Sequence, residues 1–323
     1  GEPPCPVQGG GGVNRYIIRR LLQMIPVLFG TIMILYVALY ILPGDPVQAL
    51  IGERTATPEF RQAIIDKYGL DDPLPVRIGK YIGNLAQLDF GESANTRRPV
   101  FDIIKERVPV SARLGLAGMF FLVTLGITTG VISAARKYSL SDAGVTLLAI
   151  LLVSVPVFVL GVLLQIFVAL KLKDILGLPI TGLQDGLKSY ILPGFVLASV
   201  SMAYVSRLQR TALLETLEAD YVRTARAKGL SERRVVFNHA WRNALIPVVT
   251  YLGLNFGEFL GGAILTETVF NINGLGRTIA LAVAQQDNQV VLGVSIFVVF
   301  VYLFVNLAID LLYAVIDPRI RYQ

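Results

Sequence analysis

Residues 21–42 carry no charge, and an apolar stretch of that length is enough for one helix to cross a lipid bilayer. Similar runs lie at residues 114–135, 145–170, 190–206, 244–266 and 290–316. Inside lipid each backbone N–H and C=O must be paired within the protein, which restricts such runs to helices. The expected class is all-α: a polytopic membrane protein with six transmembrane helices. Composition agrees, since 54% of the residues are apolar and the mean hydropathy is +0.62, too high for an ordinary soluble domain.

The basic residues give the runs a direction. Arg15, Arg19 and Arg20 precede the first run; Arg136 and Lys137 follow the second; and Arg207, Arg210, Arg223, Arg226, Lys228, Arg233, Arg234 and Arg242 crowd the stretch between the fourth and fifth. With Arg319 and Arg321 in the tail, all of these fall on one side of a six-helix arrangement. The short loops on the other side hold only Lys171, Lys173, Lys188 and Arg277. Positive charge marks the cytoplasmic face, so both termini are expected there, in a multi-pass protein of the cell membrane. The net charge of +6 is then a property of loops beside lipid headgroups and calls for no nucleic acid.

Four parts are expected: a flexible tail at 1–14, a first transmembrane helix at 15–42, an extracytoplasmic subdomain at 43–110, and a core at 111–323 holding five further helices and a cytoplasmic loop at 207–243. The subdomain reads as mainly helical, with apolar spacing of about 3.6 at residues 57–68 and 76–88. Pro156 is expected to kink the third helix.

Several chemistries are excluded. No GxxxxGK[ST] is present, and the glycines at 9–12 are not followed by Lys and Ser or Thr, so there is no phosphate-binding loop. HExxH is absent, the one histidine is His239, and the one cysteine is Cys5, which leaves no metal-ligand cluster and no internal disulfide. The chain is expected to be no enzyme and to hold no cofactor or metal, so that work done on it must be powered by another subunit or by an ion gradient.

The charge-rich stretch at 207–250 reads as helix, glycine turn, helix. Leu214, Leu217, Tyr221 and Ala225 recur at helical spacing, while Glu215, Glu218 and Asp220 precede Arg223, Arg226 and Lys228, an order that suits the helix dipole. Gly229 stands where a left-handed residue closes a helix, and Ser231 with Glu232 suits the start of the next, running towards Pro247. On this pattern alone it is either an ordinary amphipathic connector or an element that a soluble partner grips.

RTARAKGLSERRVVFNHAWRNALIPVVT, at 223–250, resembles the cytoplasmic coupling loop of ABC-transporter permeases in the dipeptide, oligopeptide and nickel family. Gly229 matches that loop's glycine and Ala225 its second alanine. Arg223 and Thr224 stand at its Glu and first Ala positions, and Pro247 comes later than in the general pattern; both departures are typical of the peptide subfamily. The resemblance continues in LPGDP at 42–46, YGLDDPL at 68–74, LDFGES at 88–93, GGAILTETVFNINGLG at 261–276 and LLYAVIDPRIRY at 311–322.

The resemblance implies a permease subunit, of the first of two types, in a prokaryotic ABC importer for dipeptides or oligopeptides. Its implied partners are a second homologous permease, two ATPase subunits that would carry ATP and Mg, an extracytoplasmic solute-binding protein and membrane lipid. Tyr221, Val222, Ala225, Ala227, Gly229 and Leu230, flanked by Arg223 and Arg226, are the expected ATPase contacts. Nickel, haem or glutathione are alternative cargoes, and a stand-alone secondary transporter is a further alternative.

In the fifth run Gly253, Gly257 and Gly261 form a stripe of small residues, with Asn255, Glu258 and Gly262 on a neighbouring face. Two readings of Glu258 stand: an acid lining the translocation pathway, or a structural acid held by an ion pair or a hydrogen bond. Asn306 and Asp310, four residues apart in the last run, are expected at a gate or subunit interface. Glu267 opens the last outer loop, in which NINGLG could cap the cavity.

Overall fold

The computed structural model describes residues 11–40, 47, 57–68, 71–261 and 263–316. Among them the only β pairing is an isolated bridge between Glu92 and Pro99; the rest of the regular structure is helical. LPGDP, Gly262, Arg319 and Arg321 lie outside the described residues. The helices used below are α1 (Gly11–Tyr40), α2 (Pro58–Tyr68), α3 (Leu74–Ala86), α4 (Val100–Phe121), α5 (Ile127–Ala135), α6 (Leu140–Ser154), α7 (Val157–Leu164), α8 (Lys173–Leu176), α9 (Ile191–Leu217), α10 (Asp220–Ala227), α11 (Glu232–Arg234), α12 (Trp241–Leu260), α13 (Ile264–Val269), α14 (Leu275–Ala284) and α15 (Asn288–Ile316). They fold into two compact units, Arg107–Arg277, and Gly1–Glu106 with Thr278–Gln323.

In the unit Arg107–Arg277 the helix at the centre is α9. Of the most apolar stretch within the helix Gly186–Leu217, 56% is buried, against 11% for that of α1, so α9 is enclosed by protein while α1 is mostly exposed. Met202, Ala203 and Val205 of α9 close against Leu122, Leu152, Val248 and Phe259. Approach is closest at Gly130 of α5: a Cβ there would sit 2.6 Å from the Ser206 carbonyl oxygen and 2.7 Å from Gln209 Cβ. Only a residue without a side chain lets the two backbones meet.

Three boundaries differ from the sequence expectation. The fourth apolar run stops at Arg207, but α9 continues through Arg207 and Arg210 to Leu217. A charge ends a hydropathy window without ending a helix, because Arg, Gln and Glu are good helix formers. The third run is no single kinked helix: α6 and the helix from Val157 to Leu170 meet at 108°. Val155 is extended there (φ −89°, ψ 125°), as the ring of a following proline requires. The fifth run breaks after Leu260, before the short α13.

These breaks bear on the number of crossings. Four helices among the described residues are long and apolar enough to cross a bilayer, and the bent pair would add a fifth. The helix α12, which interrupts its apolar residues with Arg242, Asn243, Asn255 and Glu258, is not among them.

In the other unit α1, α3 and α15 share a core of Ile32, Tyr36, Tyr40, Ile78, Leu292 and Ile296. Polar groups at the start of α15 fix the loop that follows α3. The Tyr40 hydroxyl donates to Gln289 Oε1 at 2.6 Å, and Gln289 Nε2 donates to the Phe90 carbonyl at 2.8 Å. Buried Asp287 accepts from the Ser93 hydroxyl at 2.5 Å and from the N–H groups of Ala94 and Asn95.

Gly130→Ala forces an added methyl into the α5–α9 contact and is expected to cost about 1–3 kcal/mol by overpacking. Gly144→Ala, where nothing lies within 4 Å, is expected to be neutral or to gain up to about 1 kcal/mol of helix propensity. Thermal unfolding of the two purified variants in one detergent checks the contrast.

Candidate functional site

The charged stretch after α9 folds into an elbow. Leu217 is the last residue of α9, and Ala219 is extended (φ −69°, ψ 148°), so the chain turns before α10 begins. Asp220 stands in the first turn of α10 and Arg226 in its last, matching the helix dipole. The helix closes with a paired cap: Gly229 N–H donates to the Arg226 carbonyl at 2.9 Å and Leu230 N–H to the Ala225 carbonyl at 3.4 Å. That cap needs a left-handed residue, and Gly229 has φ +77° with open space around it. Backbone conformation, and not lack of room, is what demands glycine.

Two polar ties brace the bend. Arg226 Nε donates to Glu232 Oε1 at 2.8 Å, while its NH1 reaches the Leu217 carbonyl at 3.4 Å, so one guanidinium links the end of α9, α10 and α11. Asn243 Nδ2 of α12 donates to the Tyr221 hydroxyl at 2.9 Å. The Arg223–Asp220 pair, at 3.6 Å between side chains 71% and 98% exposed, contributes little by comparison.

The residues expected to meet a partner divide into two sets. Val222 and Ala225 are 0% and 6% exposed and pack with Leu213, Val235, Ala240 and Ala244, and Leu230 lies against the same cluster. These three are the seat of α10, with Val222 and Ala225 closed to any partner, because apolar residues three apart on so short a helix define its inner side. Tyr221, Arg223, Arg226, Ala227 and Gly229 are exposed, as are Thr224 and Lys228 between them.

The residues expected along the pathway also separate. Asn255 is buried, and its Nδ2 donates to the Tyr251 carbonyl within its own helix. Glu258 is exposed, on a stripe with Ile246, Thr250 and Leu254; a turn of three residues was enough to put the two on different sides. Asp310 pairs with Arg20 of α1 at 3.2 Å, whereas Asn306 Oδ1 is buried with no hydrogen-bond partner. Gly262 is outside the described residues.

Two buried acids of the unit Arg107–Arg277 were given no such place by the sequence reading. Glu267 of α13 is fully buried. Its carboxylate accepts from the Ser111 hydroxyl at 2.6 Å and from Arg277 N–H at 2.8 Å, and Ser111 Oγ accepts from Leu275 N–H at 2.8 Å. Glu267 and Ser111 together therefore cap the start of α14, folding NINGLG back on itself. Burial pushes the Glu267 carboxyl above the usual carboxylate range, against the pull of these donors. Asp142 is the other acid. Its N–H donates to the Ser139 hydroxyl at 3.3 Å, and Ser139-Leu-Ser-Asp142 is the spacing that signals a helix start in a sequence.

Residues 126–322 match the family described as binding-protein-dependent transport system inner membrane component, and residues 13–115 match the N-terminal membrane component of the same systems. The chain belongs to this family. Among relatives of this inner membrane component, a di/tripeptide transport system permease of Pseudomonas aeruginosa is 39% identical over 332 residues, covering 95% of this chain and 99% of the relative. A dipeptide transport system permease of Escherichia coli is 36% identical over 336 residues, covering 96% and 99%. The fold is similar to that of a chain in inward-facing structures of the MetNI methionine ABC transporter, with a TM-score of 0.51 at 18% identity over 67% of this chain and 96% of that one. The elbow, α9 and α12 all lie within the longer family match.

Proposed function

We propose that this inner membrane component is a permease subunit of a prokaryotic ATP-driven importer, forming half of a translocation pathway for dipeptides or oligopeptides. Its partners are a second homologous permease, two ATPase subunits that bind ATP and Mg, and an extracytoplasmic solute-binding protein. In this reading α12 completes six crossings, both termini are in the cytoplasm, and the elbow lies on the side of the ATPases. The observation that carries this reading is the elbow itself: a short helix seated by Val222 and Ala225, braced by Arg226, and joined by a tight turn to α9 on one side and through Gly229 and α11 to α12 on the other. An element of that kind transmits a push on its outer face to the helices at its ends.

In this reading Tyr221, Arg223, Thr224, Ala227 and Lys228 form the ATPase-facing surface, and Val222, Ala225 and Leu230 carry the load inward. Glu258 faces the pathway, where an acid in apolar surroundings suits the ammonium group of a peptide. Asn255 serves α12 from within. Peptide relatives at over 35% identity along nearly the whole chain support the cargo class.

Gly229→Val places a β-branched residue at a left-handed position, a strain of about 1–3 kcal/mol, and is expected to abolish ATP-driven peptide uptake while the two permeases still co-purify. Uptake at the unaltered rate would reject the coupling role. Glu258→Gln is expected to slow uptake of peptides with a free amino terminus more than that of N-acetylated ones. Equal slowing of both would remove Glu258 from the pathway.

A further inference from the structure

The contact of α9 with α5 and the turn just before it is apolar through Leu122 and Val205 and becomes polar towards the elbow. Thr129 and Ser206 meet at 3.0 Å between hydroxyls. One turn on, Gln209 is fully buried against Gly130, with neither end of its amide bonded. The next level holds Asp142, 5% exposed.

All of its acceptor positions are used. Oδ1 takes the Ser133 hydroxyl at 2.5 Å and Arg210 Nε at 2.9 Å; Oδ2 takes Arg210 NH2 at 2.8 Å and Tyr138 N–H at 3.0 Å. Ser133 belongs to α5, Asp142 to α6 and Arg210 to α9, so a single carboxylate ties three helices and the turn between two of them. Apolar packing tolerates small slips of one helix along another, but a two-pronged Arg–carboxylate bond fixes both distance and rotation. Gln209 contributes no bond, so at this end of the seam the register rests on Asp142 and Arg210.

Their position relative to the elbow matters. Leu213, three residues beyond Arg210, is part of the cluster that seats Val222 and Ala225, and Ala134, next to Ser133, is in it too. Displacement of α10 reaches Leu213 first and Arg210 within the following turn of α9.

We infer that Asp142 and Arg210 are a positioning pair for transport, making α5 and α6 follow α9 when the elbow is displaced, so that motion delivered to one helix becomes motion of three. This rests on the coupling role proposed above. Without the pair, α9 would yield to the elbow while α5 and α6 stayed behind.

The test uses the complete transporter, with its partner permease, ATPase subunits and binding protein, reconstituted in lipid vesicles, and measures ATP hydrolysed per peptide imported. Asp142→Asn is isosteric and removes the charge; Arg210→Lys keeps the charge and loses the second prong. Both are expected to leave hydrolysis responsive to loaded binding protein and to raise the ATP-to-peptide ratio at least about threefold, as for residues within a coupling network. Where Asp142→Asn does not assemble, the Arg210→Lys ratio decides alone. A ratio equal to that of the unaltered transporter, with hydrolysis and uptake falling together, overturns the proposal and leaves the pair a stabilising contact only. Gly229→Val, measured alongside, separates the two ideas: if it alters neither uptake nor the ratio, the coupling role has failed; if it abolishes uptake while Arg210→Lys leaves the ratio unchanged, only the positioning pair has.

Discussion

Val222 and Ala225, closed against Leu213 and Ala244, are what hold the elbow together. A helix of eight residues does not sustain itself in water, where isolated helices below about 12–15 residues are marginal. Its persistence comes from the apolar seat on one side, the glycine cap at the end and the Arg226 brace across the bend. Remove the seat and the charged stretch between α9 and α12 is a loop; with it, the stretch is a rigid projection that shares residues with the core of the unit behind it.

That core is arranged to match. The helix α9 is enclosed over most of its length, its backbone meets α5 at Gly130, and its last turns leave the apolar packing for a polar clip at Asp142 before reaching the elbow. Glu267 and Ser111 do similar work elsewhere in the unit, pinning the start of α14. In each case a buried acid accepts hydrogen bonds from more than one segment of the chain, as the cost of burying charge demands. Among the described residues, the buried carboxylates of Asp142, Glu267 and Asp287 all fix how separate segments meet.

Much of this was legible in the sequence, for identifiable reasons. The long apolar runs allowed only helices, and Gly229 announced a left-handed turn because it interrupts an amphipathic pattern between bases and a helix start. The resemblance at 223–250 led to the family that the comparisons then established. Elsewhere hydropathy misled. It ended the fourth run at Arg207, since it scores charge and not helix propensity, and it carried the third run across Pro156, so that a kink was expected where the chain breaks into two helices at 108°. Val222 and Ala225 looked like contact residues, yet a spacing of three marks the buried side as readily as the exposed one. Asn255 and Glu258 were grouped by arithmetic around the helix, and only tertiary packing decides which of two adjacent faces is inside. The Asp142–Arg210 pair, separated by 68 residues, leaves no local trace beyond the helix-start pattern at Ser139.

The claim on which the account rests is that the outer face of α10 is where force enters. In a Cys5→Ser background, single cysteines at Thr224 and Ala227 are expected to react with a membrane-impermeant maleimide from the cytoplasmic side alone, and to be protected when ATPase subunits are bound. Cysteines at Val222 and Ala225 are expected to stay unreactive either way. Labelling of the Thr224→Cys and Ala227→Cys proteins from outside the cell, or labelling that the ATPase subunits leave unchanged, would contradict it.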